Sequence, residues 1–111
     1  TMIDAIRNGA DGIISVAANA FPSIMSDSYL SLLWEEEKNK PNIIELLPKV
    51  DKSNFILNDF FNLIFEEGNP AGIKFALKCL NLCSDKVRLP LTEISNDLKL
   101  KISDFMSKTK V

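Results

Sequence analysis

The stretch Gly9-Ala10-Asp11-Gly12-Ile13-Ile14-Ser15-Val16 decides how this chain is read. Asp11-Gly12 is a turn signal. Ile13, Ile14 and Val16 after it form a short β-branched run with apolar residues on both faces, the pattern of a parallel strand covered on each side. Upstream, Ile3 and Ile6 fit the closing turns of a helix, with Gly9 where a left-handed C-terminal cap is expected. That helix is expected to begin before Thr1. Downstream, Ala17-Ala18-Asn19-Ala20-Phe21-Pro22 is a run of small residues leading to a proline suited to a first helical turn. Ile24, Met25, Tyr29, Leu32 and Leu33 then recur at helical spacing and predict an amphipathic helix ending near Glu35-Glu36-Glu37. The order is helix, strand, loop, helix. A single strand needs partners, and everything further along carries the longer helical period. The neighbours are therefore expected upstream or on another chain, and the sequence reads as a piece of a larger protein.

Beyond this unit the chain reads as helical. Lys38-Asn39-Lys40-Pro41 is the best linker, and Asn42 could cap a brief helix through Leu47 that is bent or broken at Pro48. Asp51 or Ser53 then opens a strongly apolar helix with Phe55, Ile56, Leu57, Phe60, Phe61, Leu63, Ile64 and Phe65. An apolar face that wide predicts the centre of a helical layer or a subunit contact. Gly68-Asn69-Pro70 is a turn with Asn69 as the predicted N-cap and Pro70 as the first residue of a helix buried through Ile73, Ala76, Leu77 and Leu80. Arg88-Leu89-Pro90-Leu91-Thr92 reads as an extended connector, and Ser95 caps a last helix presenting Leu98, Ile102, Phe105 and Met106.

Composition narrows the function. With 111 residues, 46% apolar and 25% charged, the chain suits an ordinary globular fold. A formal net charge of −2 gives no basic footprint, so no nucleic-acid partner is expected. No apolar run reaches the length of a membrane span and no signal-peptide layout opens the chain, so the expectation is a soluble, cytoplasmic protein. Cys79 and Cys83 stand four apart on one predicted helix, without a histidine or a second cysteine pair to complete a zinc site. They are expected to be small buried side chains, and no metal or cofactor is expected.

Catalytic groups are scarce. Histidine is absent, which leaves acid–base work to carboxylates, tyrosine or a desolvated lysine. Glu66 and Glu67 are adjacent and so diverge by about 100° on a helix. They read as solvated helix-end charges, as do Glu35, Glu36 and Glu37. Lys74, between Ile73 and Phe75, could form a Schiff base if desolvated, but a stem packed on the helix with its amine in water is the expectation. Gly9 to Gly12 is not a phosphate loop, because it feeds a strand and lacks the following motif. Position is more informative: if the strand belongs to a (β/α) barrel, Ser15, Val16, Ala17, Ala18 and Asn19 at its carboxyl end would face the active site.

The segment from Gly9 to Pro22 resembles the last barrel strand and following loop of the dihydrodipicolinate synthase family. Glu67-Gly68-Asn69-Pro70-Ala71-Gly72-Ile73-Lys74 and Arg88-Leu89-Pro90-Leu91-Thr92-Glu93-Ile94-Ser95 resemble two stretches of that family's C-terminal helical region, in the same order. The segment between Leu33 and Ser53 is longer and less regular than is usual there. The resemblance implies a parent enzyme that condenses pyruvate with aspartate semialdehyde through a Schiff base to a barrel lysine, on the route to lysine and diaminopimelate. It implies a homotetramer of TIM barrels with helical appendages. Residues 1–37 would be the last helix-strand-helix of the barrel and residues 38–111 the appendage.

By the same resemblance the catalytic lysine, the proton-relaying tyrosines and the carboxylate-binding loop belong to earlier strands and have no match here. The one ligand position that carries over is Ile14, next to bound pyruvate. The expected fold is thus α/β by parentage, with these residues mainly α-helical around one short strand, and the chain by itself is expected to be inactive. A sister aldolase such as N-acetylneuraminate lyase and a non-catalytic helical interaction module are the alternatives.

Overall fold

The computed structural model describes residues 2–36 and 47–109. Five α-helices occur among them: α1 (Met2–Arg7), α2 (Pro22–Glu36), α3 (Leu47–Phe65), α4 (Ala71–Cys79) and α5 (Asn96–Lys108), with a 3-10 turn at Ala17–Asn19. The chain divides into two compact units, Thr1–Phe55 and Ile56–Val111, and the division falls within α3. The sequence boundary at residues 37 and 38 and the brief helix opened by Asn42 lie outside the described residues.

In the first unit, α1 and the 3-10 turn pack on α2 around Ile6, Ala17, Ala20, Phe21 and Met25, all buried. α1 ends as the sequence predicts. Gly9 takes φ +91°, its N–H donates to the Ile6 carbonyl at 2.9 Å, and the Ala10 N–H donates to the Ala5 carbonyl at 3.0 Å. These two bonds satisfy carbonyls that a helix end leaves orphaned, and a residue with a Cβ would resist the left-handed backbone they require. Pro22 stands at the first position of α2, where a missing N–H costs nothing.

The predicted strand is absent. No strand occurs among the described residues, and 13–16 are irregular. Ile13 is 39% and Ile14 106% exposed. The residue pattern for a strand is present, but a ladder needs a second strand to accept from its N–H groups and donate to its C=O groups, and none occurs among the described residues.

The second unit is built on Leu57, Phe60 and Ile64 of α3, Ile73, Phe75 and Ala76 of α4, and Leu98, Ile102 and Met106 of α5. The Phe60 and Phe105 rings stack with centroids 5.6 Å apart. The wide apolar face of α3 is only partly used, since Phe65 remains exposed beside Phe61. Two helix starts differ from expectation. α3 already runs from Leu47 through Pro48, so it neither breaks at Pro48 nor waits for Asp51 or Ser53 to open. At α4 the Pro70 carbonyl already accepts the first helical bond, from Lys74 N–H at 3.0 Å, so Pro70 and not Asn69 is the N-cap.

The far end of α4 corrects the cysteine reading. Asn81 adopts φ +58°, its N–H donates to the Lys78 carbonyl at 2.9 Å, and the Leu82 N–H to the Leu77 carbonyl at 3.0 Å. This cap stops the helix at Cys79 and leaves Cys83 outside it. Cys83 is exposed, its Sγ 4.0 Å from the Lys74 carbonyl, while Cys79 faces the Ser103 hydroxyl of α5 at 3.8 Å.

Candidate functional site

The segment from Gly12 to Ala18 and helix α2 enclose a cleft of about 450 Å³ in the first unit. Gly12, Ile13, Ser15 and Ala18 line it from the segment, and Pro22, Met25, Ser26 and Tyr29 from the helix. Its walls are small or apolar apart from three hydroxyls. One of these is engaged: the Tyr29 hydroxyl donates to the Asp11 carbonyl at 2.9 Å, across 18 residues of sequence. The Ser15 Oγ is buried with no hydrogen-bond partner among the described residues, as is that of Ser28 on α2. An unpaired buried hydroxyl costs free energy unless something completes it.

Ile14 projects into solvent beside this cleft. Of the residues predicted to line a site after the strand, Ser15 and Ala18 do line the cleft. Ala17 does not. It is fully buried, because the chain turns inward at the 3-10 turn, where the Phe21 N–H donates to its carbonyl at 2.9 Å. Asn19 is exposed and uses its Nδ2 on the Val16 carbonyl at 3.0 Å.

The second unit carries charge networks in which the candidate residues have structural partners. The Lys74 amine donates to the Lys86 carbonyl, which ties α4 to the segment just before the Arg88–Thr92 connector. Asp85 is buried and pairs with Lys78 at 2.8 Å and Lys99 at 3.5 Å, and Lys99 also meets Glu93 at 3.1 Å. The hydrogen bond from Lys78 holds the Asp85 carboxyl below the usual range, against the opposing effect of desolvation. Both amines stand over the Phe75 ring, 5.9 and 5.7 Å from its centroid. Among the described residues no group of three or more Cys, Asp or Glu side chains is placed to hold a metal ion.

Glu66 and Glu67 are not merely solvated charges. Glu66 pairs with Lys101 at 2.7 Å. Glu67 accepts from the Ser95 N–H at 2.7 Å and from the Ser95 hydroxyl, while Ser95 Oγ accepts from the Leu98 N–H at 3.3 Å. In a capping box the carboxylate comes from the third helical residue. Here that residue is Leu98, and Glu67, 28 residues away, takes the role.

The bonds from Ser95 hold the Glu67 carboxyl below the usual glutamate range. A depressed carboxyl pKa means a contribution to stability that is present above the unfolded-state value and lost as pH falls through the folded one. Glu67→Gln is therefore expected to lower stability at neutral pH and to match the parent chain in strong acid. Denaturant titrations of both proteins from neutral to acid pH would check this, and a gap constant with pH would count against it.

The model of the dihydrodipicolinate synthetase family matches residues 1–109. A protein of Karelsulcia muelleri (strain GWSS) named 4-hydroxy-tetrahydrodipicolinate synthase is 39% identical over 97 residues, 87% of this chain and 29% of that relative. Proteins of the same name from Pelagibacter ubique (strain HTCC1062) and Aquifex aeolicus (strain VF5) are 38% and 31% identical over 84% and 90% of this chain, which is 29% and 31% of their own lengths. The chain spans about three tenths of the length of the curated relatives it matches.

Proposed function

The chain belongs to the dihydrodipicolinate synthetase family, and from that premise we propose that it supplies the C-terminal part of a pyruvate-dependent Schiff-base lyase of the 4-hydroxy-tetrahydrodipicolinate synthase type. The observation that carries the reading is the family match along residues 1–109. The relatives' shared name favours the synthase over a sister aldolase. In this reading residues 1–37 complete the barrel and residues 38–111 form the helical appendage of a cytoplasmic homo-oligomer.

The division of labour follows from the residues. The reacting lysine lies on a part of the enzyme outside this chain, where it condenses with the keto group of pyruvate to an imine with loss of water; loss of a methyl proton from the imine gives the enamine, whose carbon adds to the aldehyde carbon of aspartate semialdehyde. Lys74 is not its substitute, because its amine is already bound to the Lys86 carbonyl. Ile14 stands beside bound pyruvate and contributes shape and main-chain contact, with no part in proton transfer. Its exposure in this chain fits a residue whose neighbours come from the rest of the barrel.

The test is to capture the native protein from its source cell with an antibody to α5, treat it with pyruvate and borohydride, and measure the intact mass. A species well above the mass of these 111 residues, carrying one reduced pyruvyl group on a lysine outside this chain, is the expected result. The chain produced alone is expected to acquire none. A native species of this chain's own mass that pyruvate does not label would overturn the reading.

A further inference from the structure

One amine closes a loop in the second unit. Lys99 on α5 stands 3.5 Å from the Asp85 carboxylate and 3.1 Å from that of Glu93, so it joins the two ends of the segment between them. Lys78 holds Asp85 from α4 at 2.8 Å, the Lys74 amine takes the Lys86 carbonyl, and Ile94 just beyond the loop is buried. The far end is a turn, closed by the Leu91 N–H on the Arg88 carbonyl at 3.0 Å. Its apex is apolar and open: Leu89 is 91% exposed, and Leu91 beside it is exposed as well. The Arg88 guanidinium has no partner among the described residues. A lone exposed leucine is ordinary. A leucine carried at the apex of a turn whose neck is fixed by ion pairs is different, since a preformed loop loses little conformational freedom on binding.

We propose that the Arg88–Leu91 turn is the plug by which this helical unit docks on the part of the same lyase that lies outside this chain, with Leu89 filling an apolar pocket there and Arg88 paired with oxygen acceptors at its rim. The assignment rests on the lyase reading above. Size selects this occupant. A stable interface between separate molecules takes roughly 20–30 residues a side, and a single turn offers far less. Between parts of one polypeptide the same contact needs no such area, because the covalent link holds its partner at high effective concentration. The chain spans about three tenths of the length of its relatives, so the greater part of the lyase is available as that partner.

The experiment is limited trypsin digestion of the complete lyase, with cleavage after Arg88 followed by mass spectrometry. A docked turn is cut only through its undocked state, so the rate reports that state's population. The parent lyase is expected to resist cleavage at this bond, and Leu89→Ala to be cut there about tenfold to a hundredfold faster, the worth of burying one leucine side chain. Leu100→Ala, at an exposed position on α5, is expected to leave the rate at Arg88 where it was, which separates loss of docking from general loosening. Prompt cleavage of the parent at Arg88, no acceleration in Leu89→Ala, or equal acceleration in both variants overturns the assignment while the lyase reading stands. So does resistance that disappears when the enzyme is diluted to single subunits, which would make a second copy the occupant. Failure of the parent enzyme to be trapped by pyruvate and borohydride overturns the lyase reading, and the assignment with it.

Discussion

Phe60→Ala is expected to lower the unfolding free energy by about 3–5 kcal/mol, the range for removing a fully buried aromatic side chain. Phe60 has no exposed surface and stacks on Phe105 across α3 and α5. Truncation removes the transfer free energy of the ring and its stacking contact with Phe105, and leaves a cavity in the core. Phe65→Ala is the matched control. Phe65 lies one and a half turns further along the same helix and is 46% exposed, so its loss should cost far less. Denaturant unfolding followed by circular dichroism measures both, and equal shifts would refute the assignment of Phe60 to the core of the second unit.

Gly72→Ala is expected to destabilise by about 3 kcal/mol, at the upper end for overpacking. On helix propensity alone the change should help by about 1 kcal/mol, because glycine is the weaker helix former. The packing reverses the sign. Gly72 is buried in the first turn of α4, and a Cβ there would lie 2.8 Å from the carbonyl carbon and the Cα of Ile64, and closer still to its oxygen. These are backbone atoms, so no rotamer change can relieve the clash, and α3 and α4 would have to move apart. Denaturant titration again supplies the measurement. A variant as stable as the parent chain would show that the two helices do not approach as closely as described.

Much of the local structure was legible in the sequence because its causes are local. Gly9 ends α1, Pro22 begins α2 and Ser95 caps α5 through its own side chain. The buried stripe of Leu98, Ile102 and Met106 follows from helical spacing alone. The misreadings were also physical. The helix period through Cys83 concealed the cap at Asn81, since asparagine is a less obvious left-handed residue than glycine. Ile13, Ile14 and Val16 are sound strand residues, but their ladder depends on a partner strand that no local pattern can supply.

The site followed the same division. Ser15 and Ala18, read as facing a site from the carboxyl end of a barrel strand, line the cleft although that strand is not formed among the described residues, whereas Tyr29 was read only as a member of an apolar stripe. Its bond to Asp11 joins residues 18 apart, and no spacing rule reports it. Glu67 left a faint signal. Ser95 is a good cap followed three residues later by leucine instead of an acid, which points to an acceptor from elsewhere without saying where.

By itself, then, the sequence determined the mainly helical class of the chain, several of its helix ends and, through three resembling segments, its family. Periodicity and capping act within a few residues, and a family likeness resides in the residues themselves. Only the tertiary structure decided that Gly72 must lack a side chain, that Glu67 completes the cap of α5, that Lys74 is occupied by Lys86, and that Tyr29 anchors the turn before Ile14. Each of these depends on two backbone or polar groups meeting in space after the helices have packed, and that meeting is set by the fold as a whole.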